Sequence, residues 1–175
     1  MNLKQRKARA SKILSRNLDL RKEFWPDISS ESLWNRKQKD GFTTVPRPMP
    51  QILQIMDHLA DKGKPVSQSY LSLWFRVFDE SLVVIQNEKE MAFEAGFTGQ
   101  RAVTTWNSRM KNLVDMGFID AKAGSAGKYN YVLIFNPYLV IRKLKKEEKI
   151  PEHLYTALFA RAQEVGAVDD LKIGN

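Results

Sequence analysis

The chain has 175 residues, 43% of them apolar and 27% charged, with no cysteine and a formal net charge of +8. That length and apolar share suit one buried core with extensions, and the lack of cysteine excludes disulfides, zinc ribbons and thiol chemistry. No run of about 18 apolar residues is present, so no membrane span is expected, and the amino end lacks an apolar signal core, so a cytoplasmic, bacterial-type protein is expected.

Residues 1–22 carry eight basic residues against Asp19 alone, a net +7 out of the total +8. Lys4, Arg6, Lys7, Arg9 and Lys12 of this arm are expected to meet phosphates, because each cation that does so releases a condensed counterion. A solvated tail that aids solubility is the plainer alternative. Leu14, Leu18 and Leu20 form a weak apolar face, which leaves frayed helix and coil both open. Residues 23–49 read as irregular, with Phe24, Trp25, Leu33, Trp34 and Phe42 anchoring the segment on the core; a stacking platform for bases would require these rings to be exposed. Pro46-Arg47-Pro48-Met49-Pro50 should be extended.

Pro50 suits the first turn of a helix. Ile52, Leu53, Ile55, Met56, Leu59 and Ala60 mark its apolar face to about Lys62, and Gly63 and Pro65 end it. Ser67 is placed to cap a helix over 68–79 with Tyr70, Leu71, Trp74, Val77 and Phe78 inward. Leu82-Val83-Val84-Ile85 is a short β-branched run. Asn87 and Glu90 form a capping-box-like pair at the start of a short helix containing Met91, Ala92 and Ala95. Gly96 permits the turn that follows. Thr98 is placed to cap a second helix that runs to about Met116 and stops at Gly117. Phe118 to Ala123 has strand character, Gly124-Ser125-Ala126-Gly127 is a turn, and Tyr129 to Asn136 is a second strand closed by Pro137. A mixed-charge run follows, from Arg142 to Lys149. Pro151 then opens a last helix with Leu154, Tyr155, Leu158, Phe159, Ala162 and Val165 along one side. The expected division is an arm at 1–22, a segment packed on the core at 23–49, the main domain at 50–142, and a linker and helix at 143–175.

From Asn87 to Pro137 the order is short helix, tight turn, longer helix, strand, glycine-rich loop, strand. This order resembles the winged helix-turn-helix DNA-binding superfamily of bacterial transcription regulators and plasmid replication initiators. The residues that carry the resemblance are Ala92-Phe93-Glu94-Ala95-Gly96-Phe97, then Val103, Trp106, Met110 and Leu113, then Gly117-Phe118-Ile119-Asp120 and the Gly124–Gly127 loop. They cover about the middle third of the chain. The resemblance implies a mostly helical fold with a small antiparallel sheet and extra helices at both ends. It also implies a recognition helix at about 99–116 in the DNA major groove and a wing at 118–136 against the backbone.

A helical projection sets Val103, Trp106, Met110, Leu113 and Val114 within one arc of that second helix. Arg101, Thr104, Thr105, Ser108 and Asn112 lie opposite, Arg109 and Lys111 flank them, and Gln100 stands near the amino end. Residues 98–112 hold three basic and no acidic residues. Arginine, asparagine and threonine are the side chains that match guanine, adenine and the thymine methyl. Lys122 and Lys128 bracket the wing turn and suit phosphates, or protection of a sheet edge. Against a strong grip on DNA, residues 68–142 carry eight basic and seven acidic residues, with Glu88, Glu90 and Glu94 on the first helix of the motif.

Catalysis is not expected. His58, Asp57 and Asp61 are close in sequence but lack further metal ligands, and the glycine-rich loop lies between strands rather than before a helix. No metal or cofactor is called for. The leading expectation is therefore sequence-specific binding of double-stranded DNA in transcriptional regulation. Plasmid or mobile-element replication and maintenance, and a protein-interaction adaptor, are the alternatives. The apolar side of the helix after Pro151 is a candidate homodimer contact.

Overall fold

The computed structural model describes residues 3–78 and 80–172, without the side chains of residues 3, 4, 6, 7, 9 and 10. Lys4, Arg6, Lys7 and Arg9, expected on phosphates, thus have side chains outside the described residues. Two compact units meet at Phe42–Thr43, a boundary that differs from those expected after residues 22 and 49.

The first unit is dominated by α1, Leu3–Phe24. The weak apolar face of this segment allows both helix and coil, and the structure forms helix. The segment contains neither glycine nor proline and is rich in alanine, leucine, lysine and arginine, all strong helix formers. Arg21 and Lys22 lie in the last turn, where cations suit the free carbonyls, and Pro26 follows. Lys12 is exposed. The burial expected of Phe24, Trp25, Trp34 and Phe42 is not found: all four are exposed. Phe24 meets Trp25 edge to face at 6.1 Å, and Trp34 meets Phe42 at 6.0 Å. Such edge contacts satisfy the ring quadrupoles without a surrounding core.

The second unit holds six α-helices and one sheet among its described residues: α2 (Met49–Leu59), α3 (Ser67–Arg76), β1 (Leu82–Val84), α4 (Glu88–Glu94), α5 (Ala102–Asp115), β2 (Ile119–Gly124), β3 (Gly127–Ile134), α6 (Pro137–Lys146) and α7 (Glu152–Val165). Ile52, Ile55 and Met56 of α2, Tyr70 and Leu73 of α3, and Trp106, Met110 and Leu113 of α5 are fully buried in one cluster. Each leucine, isoleucine and methionine among them contributes about 1.5–3 kcal/mol relative to leaving it exposed.

Four local expectations change. The Pro46–Pro50 segment is not extended: Met49 N–H closes a turn on Pro46 O at 2.9 Å, and α2 already starts at Met49. Ser67 does not cap α3. Asp57 on α2 does, its Oδ1 accepting from the backbone N–H of Val66 at 2.7 Å and of Ser67 at 2.9 Å, so one carboxylate fixes the angle between two helices. Phe78 is not inward but 94% exposed, because α3 ends at Arg76 and Val77 turns to extended backbone. The charged run after Pro137 is not a linker: it is α6, started by Asn136 Oδ1 accepting from Tyr138 N–H at 3.0 Å, with Ile141 and Leu144 buried. Pro137 ends the strand and simultaneously opens the helix.

α7 packs on α2, with Leu158 and Ala162 fully buried and Tyr155 nearly so. The Tyr155 hydroxyl donates to the Leu171 carbonyl at 2.7 Å, which folds the chain end back over α7. The apolar side proposed from sequence as a homodimer contact is therefore covered by the same chain. The expected contact with a second copy is thereby replaced by docking within the chain, because burying Leu158, Ala162 and Tyr155 against α2 removes the apolar face from water.

The sheet is antiparallel in the order β1-β3-β2. Leu82 pairs with Leu133 and Val84 with Tyr131, while Asp120 and Lys122 pair with the same two residues from the other side. Val83, Ile119, Val132 and Ile134 face the core, and Leu82, Val84, Tyr131 and Leu133 face outward. A register shift between Lys122 and Gly124 lets the successive residues Tyr129 and Asn130 both be buried. Among the described residues no helix is long and apolar enough to cross a membrane.

Candidate nucleic-acid interface

Asn87 caps α4, its Oδ1 accepting from Lys89 N–H at 3.0 Å and, more weakly, from Glu90 N–H at 3.4 Å. α4 ends at a tight turn in which Gly96 adopts φ +80° and Phe97 N–H returns to Ala92 O at 2.9 Å. A left-handed residue is cheapest as glycine. Thr98 does not cap the next helix. Gly99, at φ +79°, inserts a further turn closed by Ala102 N–H to Gly99 O at 3.2 Å, and Arg101 takes the cap position without a capping side chain. α5 therefore starts later than its sequence suggests. Gln100 and Arg101 stand exposed on the turn that feeds it.

Along α5, Trp106, Met110 and Leu113 point into the core, and Val103 and Val114 are half-buried. Trp106 is braced edge to face by Tyr129 of β3 at 5.6 Å, and the Tyr129 hydroxyl donates to Asn107 O at 3.3 Å; the helix and the hairpin are thereby locked together. Thr104 and Lys111 are exposed, and Thr105 and Ser108 are half-buried. Arg109 is half-buried with its guanidinium over the Phe97 ring, 5.6 Å from the centroid. That stack fixes the cation beside the turn.

Asn112 does not belong to the exposed strip. It is buried, and its Nδ2 donates to Ser108 O at 3.2 Å and to Asp61 Oδ2 at 3.4 Å. The turn between α2 and α3 covers the carboxyl end of α5, a long-range contact that no helical projection can foresee. Asp61 is held below the usual carboxylate range by Lys64 and then by Asn112.

The acids of α4, which weighed against DNA in the sequence, are occupied. Arg76 at the end of α3 bridges both Glu90 and Glu94, and these two carboxylates hold the guanidinium strongly in its charged form. Glu88 lies against the β2–β3 hairpin: its Oε1 accepts from Tyr129 N–H at 3.5 Å and sits 2.4 Å from where a Cβ of Gly127 would be. Lys111 pairs with Asp115, which raises the lysine above its ordinary value. Lys122 pairs with Asp120 at 3.3 Å, and that carboxyl is lowered first by the Ala121 N–H and then by Lys122. Lys128 extends over the Tyr129 ring, 5.3 Å from its centroid. Arg101, Arg109, Lys128 and Lys89 thus remain without a carboxylate partner among the described residues. Lys89, exposed in the first turn of α4, was not singled out from sequence, where it reads only as one charge among three glutamates.

The hairpin tip depends on small residues. Asn130 is buried and donates from Nδ2 to Ile85 O at 2.8 Å, while a side chain on Gly124 would meet its Oδ1. The exposed cationic turn before α5 and the tip of the β2–β3 hairpin therefore share a continuous scaffold. Comparison with protein-family models, curated proteins and solved structures finds no match for this chain.

Proposed function

We propose that residues 67–136 form a winged helix-turn-helix that binds duplex DNA with sequence preference, as in transcriptional regulation. The element order α3-β1-α4-α5-β2-β3, with β3 between β1 and β2, supports that fold. The observation that carries the function is the distribution of charge. Gln100 and Arg101 on the turn before α5 and Thr104 in its first turn are exposed with no carboxylate beside them in the strip, while the glutamates of α4 are tied to Arg76 and to the wing. In the major groove, Arg101 would take a guanine and Gln100 an adenine. Arg109, Lys89 and Lys128, together with the backbone of the 124–127 turn, would hold phosphates, and these contacts position without reading sequence. Lys122, balanced by Asp120, adds less. The arm of α1 would supply much of the affinity, since residues 1–22 carry most of the net charge. Replication or plasmid maintenance would use the same contacts and differ in the site recognised.

Selection from a random duplex library tests this directly. The wild type should enrich a defined site, and Arg101→Ala should lose preference at one base pair of it, by about 1–3 kcal/mol. Enrichment of no sequence by the wild type would reject base readout by α5.

A further inference from the structure

We infer that the outer face of the three-stranded sheet is a contact surface for a second copy of this chain, packed face to face about a two-fold axis. Leu82 and Val84 of β1 lie beside Leu133 and Tyr131 of β3 on that face, and all four keep 40–48% of their surface exposed. Phe135, next in the same alternation and also 40% exposed, extends the patch. The alternate residues of the same strands, Val83, Val132 and Ile134, are buried, so both faces of this sheet are apolar. A sheet that served the monomer alone would carry polar residues outward. An exposed apolar patch of this kind marks an interaction surface.

The rim identifies the occupant. On β2, Asp120 lies beside Leu133 and Lys122 beside Tyr131. The chain as a whole carries +8, so two copies repel over most of their surface. This face brings one acid and one base and no net charge, which gives an anionic partner such as nucleic acid no electrostatic advantage. Two charges of opposite sign, two residues apart on one edge, are self-complementary under a two-fold axis: Asp120 of each copy meets Lys122 of the other. Within one chain they already pair at 3.3 Å, so the exchange swaps one opposite-charge contact for another of the same kind at the rim. A flat apolar sheet face also packs naturally on another, at about 10 Å separation. α5 packs on the opposite, buried side of the sheet and stays uncovered.

Sedimentation equilibrium of the full chain tests the contact in the absence of DNA, which separates it from the DNA reading. The wild type should be a dimer at tens of micromolar. Leu133→Glu, an outward substitution, should be monomeric, with the urea midpoint of the wild type once both are diluted to concentrations at which the wild type is also monomeric. Asp120→Lys and Lys122→Asp should each weaken dimerisation about tenfold or more through like-charge contacts, and the double exchange Asp120→Lys with Lys122→Asp should recover most of that loss. A monomeric wild type at about 100 µM overturns the inference. So does a Leu133→Glu dimer as tight as wild type, or a double exchange no better than either single variant.

Discussion

Replacing Gly124 with alanine would put a methyl carbon 2.0 Å from Asn130 Oδ1, 2.8 Å from its Cγ and 2.9 Å from a ring carbon of Tyr131. These distances are far inside van der Waals contact, so something must move. Asn130 is only 2% exposed and its amide is committed to Ile85 O. If it stays, the overpacked hairpin base costs about 1–3 kcal/mol. If it swings away, the Ile85 carbonyl loses its side-chain partner and the amide must find another, again about 1–3 kcal/mol. The two routes are alternatives, so the expected loss is about 2 kcal/mol, read from the urea midpoint with an unchanged slope. Asn130→Ala alone removes the same hydrogen bond and should cost a similar amount. The double variant should cost less than the sum of the singles by about 1 kcal/mol or more, because the alanine at 124 no longer meets the amide. Additivity within about 0.5 kcal/mol would refute the clash as the reason for glycine at this position.

Asp57→Ala should destabilise by about 2 kcal/mol through the two uncapped N–H groups of Val66 and Ser67, and Asp57→Asn, which keeps an acceptor, should cost less in the same urea titration. Leu158→Ala should cost about 2–5 kcal/mol without changing the oligomeric state seen in sedimentation, since α7 docks on its own chain. Glu152, held below its ordinary carboxyl value by Lys145, contributes stability that is present above the unfolded value near 4.5 and lost as pH falls through the lower folded value. The stability difference between wild type and Glu152→Gln should thus be flat from pH 7 to about 5 and shrink below it; a difference that grows on acidification would contradict the pairing.

The stretch from Asn87 to Ile134 was legible because its signals are local. The Asn87 cap, the turn at Gly96, the Trp106–Met110–Leu113 spacing and the glycines at 117, 124 and 127 each constrain a few neighbouring residues. The misplaced features depend on distant partners. Thr98 looked like a cap because nothing in the residue types announces that Gly99 adds a turn. Asn112 looked outward because the helix projection omits the α2–α3 turn, which brings Asp61 to its amide. Ser67 yielded its role to Asp57, nine residues before Val66 and on another helix. The apolar side of α7 was visible, but not that α2 would cover it. At the candidate site, Gln100, Arg101, Thr104 and Lys128 were legible as an acid-free polar strip and hairpin tip. The neutralisation of Glu90 and Glu94 by Arg76 was not, since it bridges α3 and α4 across the strand between them.

Backbone amide chemical-shift mapping of the isotope-labelled chain, titrated with a duplex enriched from the random library, tests the proposed interface most directly. The account predicts the largest shifts over residues 99–105 and 124–128, with further shifts at Lys89 and Arg109, and little change on the outward sheet positions 82, 84 and 133. Shifts centred on those sheet positions or on α7, with residues 99–105 unmoved at saturation, would contradict it.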